Sequence, residues 1–256
     1  MAINRNKYYR IVNLIEFAHK ISPELSGRTL AYYYDKKIDE SILLNDLNCI
    51  YMPVPKAGTK SIKKAFAEYL FSTKSDQRFN TDQVNTKGLP FDKVSKTEAE
   101  KLRDKYFIFS FIRNPFKRVL SCYFDKIRKE TSYMGFLRYK NQFYRQMSFE
   151  EFIIKISDIP DSDADQHFRS QYIFLTGSKR KLIPHFTGKL EQIEEDFAKI
   201  VNRLKCKDLK LKHINKSEVK KSFQEEYFTP KIIDMIIDRY QTDFEMFGYK
   251  PNIGNL

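Results

Sequence analysis

Residues 47–66, LNCIYMPVPKAGTKSIKKAF, pass from an apolar run through a short polar loop into an amphipathic run. The continuous apolar character of residues 47–54 predicts a buried strand. Beyond the loop at residues 55–61, apolar side chains recur at the spacing of one helical face: Ile62, Ala65, Phe66, Tyr69 and Leu70. This stretch therefore predicts a strand, a short loop and a helix in direct succession.

A second unit of the same kind begins at residues 106–112, YFIFSFI, whose apolar side chains predict another buried strand. Asn114 suits the N-cap of the helix that follows, and Pro115 suits its first position. Repeated strand–loop–helix units are typical of three-layer α/β folds, in which helices flank a parallel sheet. Ligands bind at the carboxyl ends of such strands, so both loops are candidate sites.

The remaining sequence predicts one domain over residues 1–256. Periodic apolar positions indicate a helix-rich C-terminal half, and the run at 182–188 indicates a further strand. Residues 1–45 are expected to form a helical N-terminal extension ahead of a core at about 46–250. No repeat, low-complexity tract or long linker divides the chain.

The composition favours a globular protein with anionic partners. Of the 256 residues, 41% are hydrophobic, which suffices for a sizeable core. The net charge of +13 favours polyanions, but charge alone does not separate nucleic acid, anionic lipid, sulfated sugar and nucleotide. No nucleic-acid-recognition motif is present, so nucleic acid is not the expected partner.

The cysteines and the N-terminal sequence bear on the compartment. Cys49, Cys122 and Cys206 are far apart and follow no metal-ligand spacing, so neither a metal site nor a disulfide framework is expected. Charges interrupt the N-terminal residues every few positions, unlike a signal peptide or a membrane span. We therefore expect a cytoplasmic protein in a reducing environment.

The first loop, KAGTKS at residues 56–61, has the components of an anion site. Gly58 lets an anion approach the backbone, and the helix start offers unpaired N–H groups. Charge and hydroxyl donors come from its neighbours: Lys56, Thr59, Lys60 and Ser61. The loop is not a Walker A motif, because the first glycine is missing and no strand end nearby offers a carboxylate for magnesium. Alone, it fits an ordinary lysine-rich turn equally well.

A second anion site is predicted in RNPFKRVLS at residues 113–121. Arg113 ends the buried strand and offers a planar fork for a phosphate, and Ser121 lies two helical turns further on with a hydroxyl donor. One loop suits a 5′ anion and the other a 3′ phosphate. The alternative for the second loop alone is an ion pair at Arg113 and a small core residue at Ser121.

Residues 55–61 and 113–126, PKAGTKS and RNPFKRVLSCYFDK, resemble in order the two donor-binding elements of sulfotransferases that use 3′-phosphoadenosine 5′-phosphosulfate (PAPS). The resemblance is to the carbohydrate branch that includes chondroitin 4-O-sulfotransferases. Four later runs resemble further motifs of that branch: DQHFRSQ (165–171), FTGKLE (186–191), HINKS (213–217) and DFEMFGY (243–249). Their common order extends the resemblance over nearly the whole chain.

The resemblance implies a P-loop-NTPase-like sulfotransferase fold, PAPS as donor, 3′,5′-adenosine bisphosphate as product and no metal. It implies that N–H groups from Ala57 to Ser61 hold the 5′-phosphate, while Lys56 stabilises charge on the leaving group. Arg113 and Ser121 are expected to hold the 3′-phosphate. Two further cofactor contacts are predicted: Lys216 and Ser217.

The resemblance also makes His167 the predicted general base, because histidine titrates near neutrality and this one lies in a polar loop. Asp163 or Asp165 is expected to orient it. Arg169 and Gln171 are expected to contact the acceptor. The alternatives are a packing or capping role for His167 and a loop-fixing role for Arg169 and Gln171.

The expected reaction is a metal-free, in-line transfer of a sulfuryl group from PAPS to a hydroxyl acceptor. The expected acceptor is a carbohydrate, and the basic composition admits an anionic one. Two rivals stay open on the sequence: a nucleotide-dependent phosphotransferase that uses the same loops, and a non-catalytic basic module that binds polyanions.

Overall fold

The computed structural model describes residues 40–74, 91–128, 143–144, 146–211 and 226–254. Five strands form one sheet: β1 (Glu40–Leu44), β2 (Cys49–Met52), β3 (Asp92–Ser95), β4 (Phe107–Ile112) and β5 (Phe186–Lys189). Their order across the sheet is β3-β1-β2-β4-β5. The two predicted buried strands, β2 and β4, are therefore neighbours in the middle of the sheet.

The half of the sheet that carries the predicted loops is parallel. β2 pairs with β4, and β4 with β5, in parallel registers that align Tyr51 with Phe109 and Phe109 with Phe186. β1 runs antiparallel to both of its neighbours, β2 and β3. The α/β prediction is confirmed, with the difference that the sheet is mixed rather than wholly parallel.

Strand β1 falls inside the segment predicted to be a helical extension, residues 1–45. Ile42 and Leu44 pack into one hydrophobic cluster, while Leu43 lies against another. This period of two is that of a strand, so the core of the domain begins before residue 46. Residues 1–39 lie outside the described part of the chain, and the helical extension there stays a prediction.

The described residues form eight α-helices: α1 (Thr59–Lys74), α2 (Lys96–Lys101), α3 (Pro115–Tyr123), α4 (Phe149–Ser157), α5 (Gln171–Leu175), α6 (Ile193–Leu204), α7 (Pro230–Arg239) and α8 (Gln241–Phe247). The predicted helix-rich C-terminal half is confirmed. Across the described ranges, no helix is both long enough and apolar enough to cross a membrane.

Helices cover both faces of the sheet, which makes three layers. On one face, Tyr51 of β2 and the side chains of Phe109 and Phe111 in β4 pack with α1 and α6. On the other face, Ile50 and Ile108 pack with α2, α5 and α8. Successive strand residues point to opposite faces, so the unbroken apolar runs of β2 and β4 fill both cores at once.

A third hydrophobic cluster lies among helices α3, α4, α7 and α8. It is rich in aromatic rings: Phe116 meets Phe228 edge-on, and Tyr123 meets Phe149 in the same way. Each fully buried phenylalanine of this kind contributes roughly 1.5–3 kcal/mol to folding. The cluster anchors α3, which follows the second predicted anion loop, against the C-terminal helices.

Candidate active site

The loop between β2 and α1 is a tight turn closed by its own polar groups. Val54 O accepts the Ala57 N–H at 3.2 Å and the Thr59 hydroxyl at 2.8 Å. The Ala57 N–H is thus engaged within the turn. Lys56 and Gly58 have φ of 69° and 77°. A lysine in this left-handed region is uncommon, and such residues cluster at functional sites.

Helix α1 begins directly after Gly58 and supplies the predicted anion-binding backbone. A Cβ at Gly58 would lie 2.8 Å from Leu190 Cδ1, so glycine suits the close approach as well as the positive φ. The Ile62 N–H donates to Gly58 O at 3.1 Å. N–H groups earlier in the first turn have no acceptor within the helix. They include the N–H groups of the predicted loop residues Thr59 and Lys60.

Arg113 follows β4 and lies directly beside the first loop. Its Nη1 approaches Lys56 O at 3.5 Å, so the two predicted anion sites are adjacent. Gln171 holds the Arg113 backbone in both directions: its Oε1 accepts the Arg113 N–H at 2.9 Å, and its Nε2 donates to Arg113 O at 2.8 Å. Gln171 is fully buried, so its predicted acceptor contact gains no support.

The helix that follows Arg113 starts as the sequence predicts. Asn114 Oδ1 accepts the Phe116 N–H at 2.9 Å and the Lys117 N–H at 3.4 Å, and Pro115 is the first helical residue. Ser121 is the seventh residue of α3 and lies about 10 Å along the axis from the N-cap. It is partly exposed.

Glu191 and Tyr249, which lie beside the backbone that follows Arg113, were not predicted as part of the site. Glu191 accepts the Asn114 N–H at 2.9 Å through Oε1 and the Tyr249 hydroxyl at 2.9 Å through Oε2. Burial lowers the pKa of Arg113, and the charge of Glu191 opposes that effect. Glu191 thus supports the charged arginine.

The side chains of His167 and Asp165 form a hydrogen-bonded pair. Asp165 is buried, and its Oδ1 lies 2.6 Å from His167 Nδ1 and 2.9 Å from the His167 backbone nitrogen. Nδ1 therefore carries the hydrogen in the neutral ring, and Nε2 keeps its lone pair. Burial lowers the pKa of His167; Asp165 opposes this shift, and Lys126 and Lys56 add to it.

Arg169 lies in the same loop as His167, and its side chain bonds to backbone oxygens of that loop. Its Nε donates to Ala164 O at 3.0 Å, and its Nη2 approaches Ser162 O at 3.4 Å. The side chain is largely buried. These contacts support a loop-fixing role, and the predicted acceptor contact of Arg169 stays a prediction.

Asp125 and Lys126 are site residues that the sequence reasoning missed. Asp125 Oδ2 lies 3.1 Å from Lys56 Nζ and 3.8 Å from Lys126 Nζ. Burial raises the pKa of Asp125, but Lys56, Lys126 and His167 outweigh it and lower that pKa. Asp125 thus pairs with Lys56. Its position four residues after Ser121, on the same helical side, was the available signal.

Arg118 is a further missed residue, and it links the loop of Lys56 to the loop of His167. Its side chain is almost fully buried. Nε donates to Pro55 O at 3.0 Å, in the loop of Lys56, and Nη2 to Gln166 O at 3.3 Å, in the loop of His167. The signal was a charged residue beside the apolar Val119 and Leu120.

Two further predictions concern residues and groups away from this cluster. Lys216 and Ser217 lie outside the described residues, so their cofactor contacts stay predictions. Within the described ranges, no cluster of three or more histidine, cysteine, aspartate or glutamate side chains could hold a metal ion. The three cysteines are buried free thiols.

The two predicted anion loops follow neighbouring parallel strands and lie beside a lysine and a histidine–carboxylate pair, an arrangement that suits an α/β enzyme of the group-transfer class. A family model described as the sulfotransferase family matches residues 39–250. This chain belongs to that sulfotransferase family. No curated protein and no solved structure is significantly similar to it.

Proposed function

We propose that this sulfotransferase takes its sulfuryl group from PAPS and transfers it to a carbohydrate hydroxyl. The observation that carries the proposal is that the loop of Lys56 and the loop of the His167–Asp165 pair lie side by side. Lys56 contacts Asp125 at 3.1 Å, and Arg118 joins the two loops by donating to Pro55 O at 3.0 Å and to Gln166 O at 3.3 Å. A cation for the leaving group and a base for the acceptor thus lie within one charged cluster.

The two anion loops suit a donor with anionic groups at two separate positions. Arg113 Nη1 is 3.5 Å from Lys56 O, so the loops would enclose neighbouring parts of one ligand. We assign the 5′-phosphosulfate to residues 56–61 and the 3′-phosphate to Arg113 and Ser121. A phosphate gains both charge and paired hydrogen bonds from a guanidinium, which suits Arg113 to this role.

Lys56 is assigned to the leaving group. When bound, PAPS supplies the sulfuryl group: the bond from sulfur to the 5′-phosphate oxygen breaks as the acceptor oxygen bonds to sulfur, and 3′,5′-adenosine bisphosphate leaves with the electron pair. The Lys56 ammonium stabilises the negative charge that develops on that phosphate. The turn that holds Lys56 orients it before any ligand binds, which reduces the cost of reorganisation.

His167 is assigned to the acceptor and removes its hydroxyl proton through Nε2. The 2.6 Å contact of Nδ1 with Asp165 Oδ1 holds the ring in the tautomer that a base needs. Burial lowers the pKa of His167 despite Asp165, so the imidazole is neutral at neutral pH. Both conditions favour general base catalysis.

The carbohydrate class of the acceptor is supported by sequence resemblance. Residues 165–171 and 243–249 resemble motifs of the carbohydrate branch, and the first of these runs contains His167. The net charge of +13 and the position of Lys126 beside Asp125 favour an anionic sugar. We therefore propose an acidic or already sulfated saccharide as the acceptor.

Calorimetry tests the donor assignment. 3′,5′-Adenosine bisphosphate should bind about 10- to 100-fold more tightly than adenosine 5′-monophosphate, because the 3′-phosphate adds a charge-assisted bond to Arg113. Arg113→Ala should remove that difference, while Arg103→Ala, at an exposed arginine, should leave it unchanged. Preference for ATP with magnesium would instead support the phosphotransferase.

A transfer assay tests the reaction and the acceptor class. With ³⁵S-labelled PAPS, acidic and partly desulfated polysaccharides should become labelled, whereas neutral saccharides, tyrosine peptides and simple phenols should not. Labelling of a peptide or a phenol alone would overturn the carbohydrate assignment and keep the donor assignment. Polyanion binding without any turnover would favour the non-catalytic module.

A further inference from the structure

Lys56 contacts a carboxylate, Asp125, that lies just beyond the second predicted anion site at residues 113–121. Asp125 Oδ2 is 3.1 Å from Lys56 Nζ, and the two side chains are 28% and 16% exposed, respectively. Water screens a partly buried pair less than a surface pair, so the contact constrains the direction of the ammonium. Lys126 approaches the same oxygen at 3.8 Å.

The backbone changes form where Asp125 lies. α3 ends at Tyr123, and Phe124–Arg128 continue as a π-helical turn. Such turns are rare and occur frequently at functional sites. Here the turn directs two consecutive side chains, Asp125 and Lys126, toward the cluster that contains Lys56.

We propose that Asp125 is a positioning residue for sulfuryl transfer, which fixes the direction of the Lys56 ammonium and maintains its charge. Asp125 touches neither donor nor acceptor in this role and acts through Lys56. The inference rests on the proposed function of Lys56 at the leaving group. It adds a residue from the π-helical turn to the proposed site.

The charges around Lys56 explain why the ammonium needs this partner. Burial lowers the pKa of Lys56; Asp125 and Cys122 raise it, and Lys126 lowers it. Removal of the Asp125 charge leaves burial and Lys126 to act against the ammonium. The pKa of Lys56 then falls, and a larger fraction of the enzyme loses the cation at alkaline pH.

His167 is the remaining titratable group that acts on Asp125. Burial raises the pKa of Asp125, but Lys56, Lys126 and His167 together lower it below its usual value, so the carboxylate is ionised throughout the neutral and alkaline range. His167 is itself bonded to Asp165 at 2.6 Å. The acidic limb of a pH profile would report His167, and the alkaline limb would report Lys56, so the two groups are separable.

Asp125→Asn tests the proposal through kcat and its pH dependence, because it keeps the side-chain shape and removes the charge. We expect kcat near pH 7 to fall about 10- to 100-fold, KM for PAPS to change much less, and the alkaline limb to move to lower pH. Asp125→Glu should restore part of that limb. Asp238→Asn, at an exposed aspartate of α7, is the matched control and should behave as wild type.

A titration independent of activity separates this inference from the proposed function. After reductive ¹³C-methylation, the Lys56 signal is identified by its loss in Lys56→Arg, and its NMR midpoint should lie at lower pH in Asp125→Asn than in wild type. An unchanged midpoint, or an activity loss that only follows the folded fraction by circular dichroism, overturns the proposal. If wild type transfers nothing from PAPS, the proposed function fails, and the NMR midpoint still decides the role of Asp125.

Discussion

The loop of Lys56 and the loop of His167 contribute to one charged cluster, yet different contacts hold them. In the Lys56 loop, Val54 O accepts bonds from residues three and five positions later, and helix α1 follows at once. The His167 loop also has local turns, but side chains from elsewhere fasten it. Arg239 of α7 pairs with Asp161 at 2.8 Å.

Two further contacts attach the His167 loop to distant helices. The Tyr240 hydroxyl donates to Phe168 O at 2.7 Å, and Arg118 donates to Gln166 O at 3.3 Å. Arg118 also reaches Pro55 O in the other loop at 3.0 Å. The comparison teaches that the Lys56 loop, the proposed donor loop, is held mainly by bonds to its neighbours in sequence and by Arg118. The His167 loop, the proposed acceptor loop, depends in addition on Arg239 and Tyr240.

The largest effect is expected in the His167 loop, at the proposed base. His167→Ala should lower kcat about 10³-fold, because the variant lacks the nitrogen that is assigned to take the acceptor proton. Binding of 3′,5′-adenosine bisphosphate, measured by calorimetry, should stay unchanged, since the donor loop is closed by its own contacts. His185→Ala is the control: His185 Nδ1 accepts the Ile108 N–H at 3.0 Å, near the amino end of β4. Near-normal kcat in His167→Ala would remove histidine from the mechanism.

Arg118→Met tests the link between the two loops. The variant leaves Pro55 O and Gln166 O without their charged donor, which should cost about 3 kcal/mol in the free energy of unfolding. Arg103→Met, at an exposed residue that donates one bond to Ile183 O, should cost about 1 kcal/mol or less. Urea unfolding measures both. Equal costs would show that Arg118 does not act as a link.

Asp165→Asn tests the His167 loop through the pH dependence of kcat. A base works unprotonated, so activity falls as pH drops through the pKa of His167, which burial places below its usual value of about 6.5. Asp165 raises that pKa, so its neutralisation should move the acidic limb of kcat to lower pH, by about one unit. The plateau should also fall about tenfold or more, because the tautomer is no longer fixed. A limb that moves to higher pH would contradict this arrangement.

The smallest effect is expected in the donor loop. Gly58→Ala places a side chain at φ 77° and should cost about 1–2 kcal/mol in stability. Gly248→Ala is a matched control at φ 61° with open space around it, and should cost a similar amount, since the terminal methyl of Leu190 beside Gly58 can rotate away. Only Gly58→Ala should weaken binding of 3′,5′-adenosine bisphosphate. Equal affinity in both variants would remove Gly58 from the donor site.

The parts of the protein that were predictable depend on short-range chemistry. The unbroken apolar runs of β2 and β4 predict buried strands because both faces of a central strand are covered. Asn114 and Pro115 predict the start of α3 because an N-cap uses only the next three residues. The sequence did not predict β1 at residues 40–44, whose character depends on pairing with β2 and β3.

The predictions for Arg169 and Gln171 show that a sequence pattern does not distinguish a ligand contact from a structural contact. A polar side chain in a site loop has the same local pattern whether it meets a ligand or holds the loop. Gln171 is bonded to the backbone of Arg113, 58 residues away, and no local signal indicates that partner. Asp243 in turn accepts the Gln171 N–H at 2.8 Å from 72 residues away.

By itself, the sequence determined the α/β class and the sulfotransferase family, because strands, turns, caps and short motifs follow from residues a few positions apart. The two anion loops were predicted in the same way, and their ligands stay a proposal. The tertiary structure alone decided that Arg118 spans 63 residues to Pro55 and 48 to Gln166, and that Asp125 meets Lys56. A charged side chain forms its hydrogen bonds and ion pairs with the groups that the packing of helices and strands places next to it. That choice is made by the whole fold, so no local pattern in the chain encodes it.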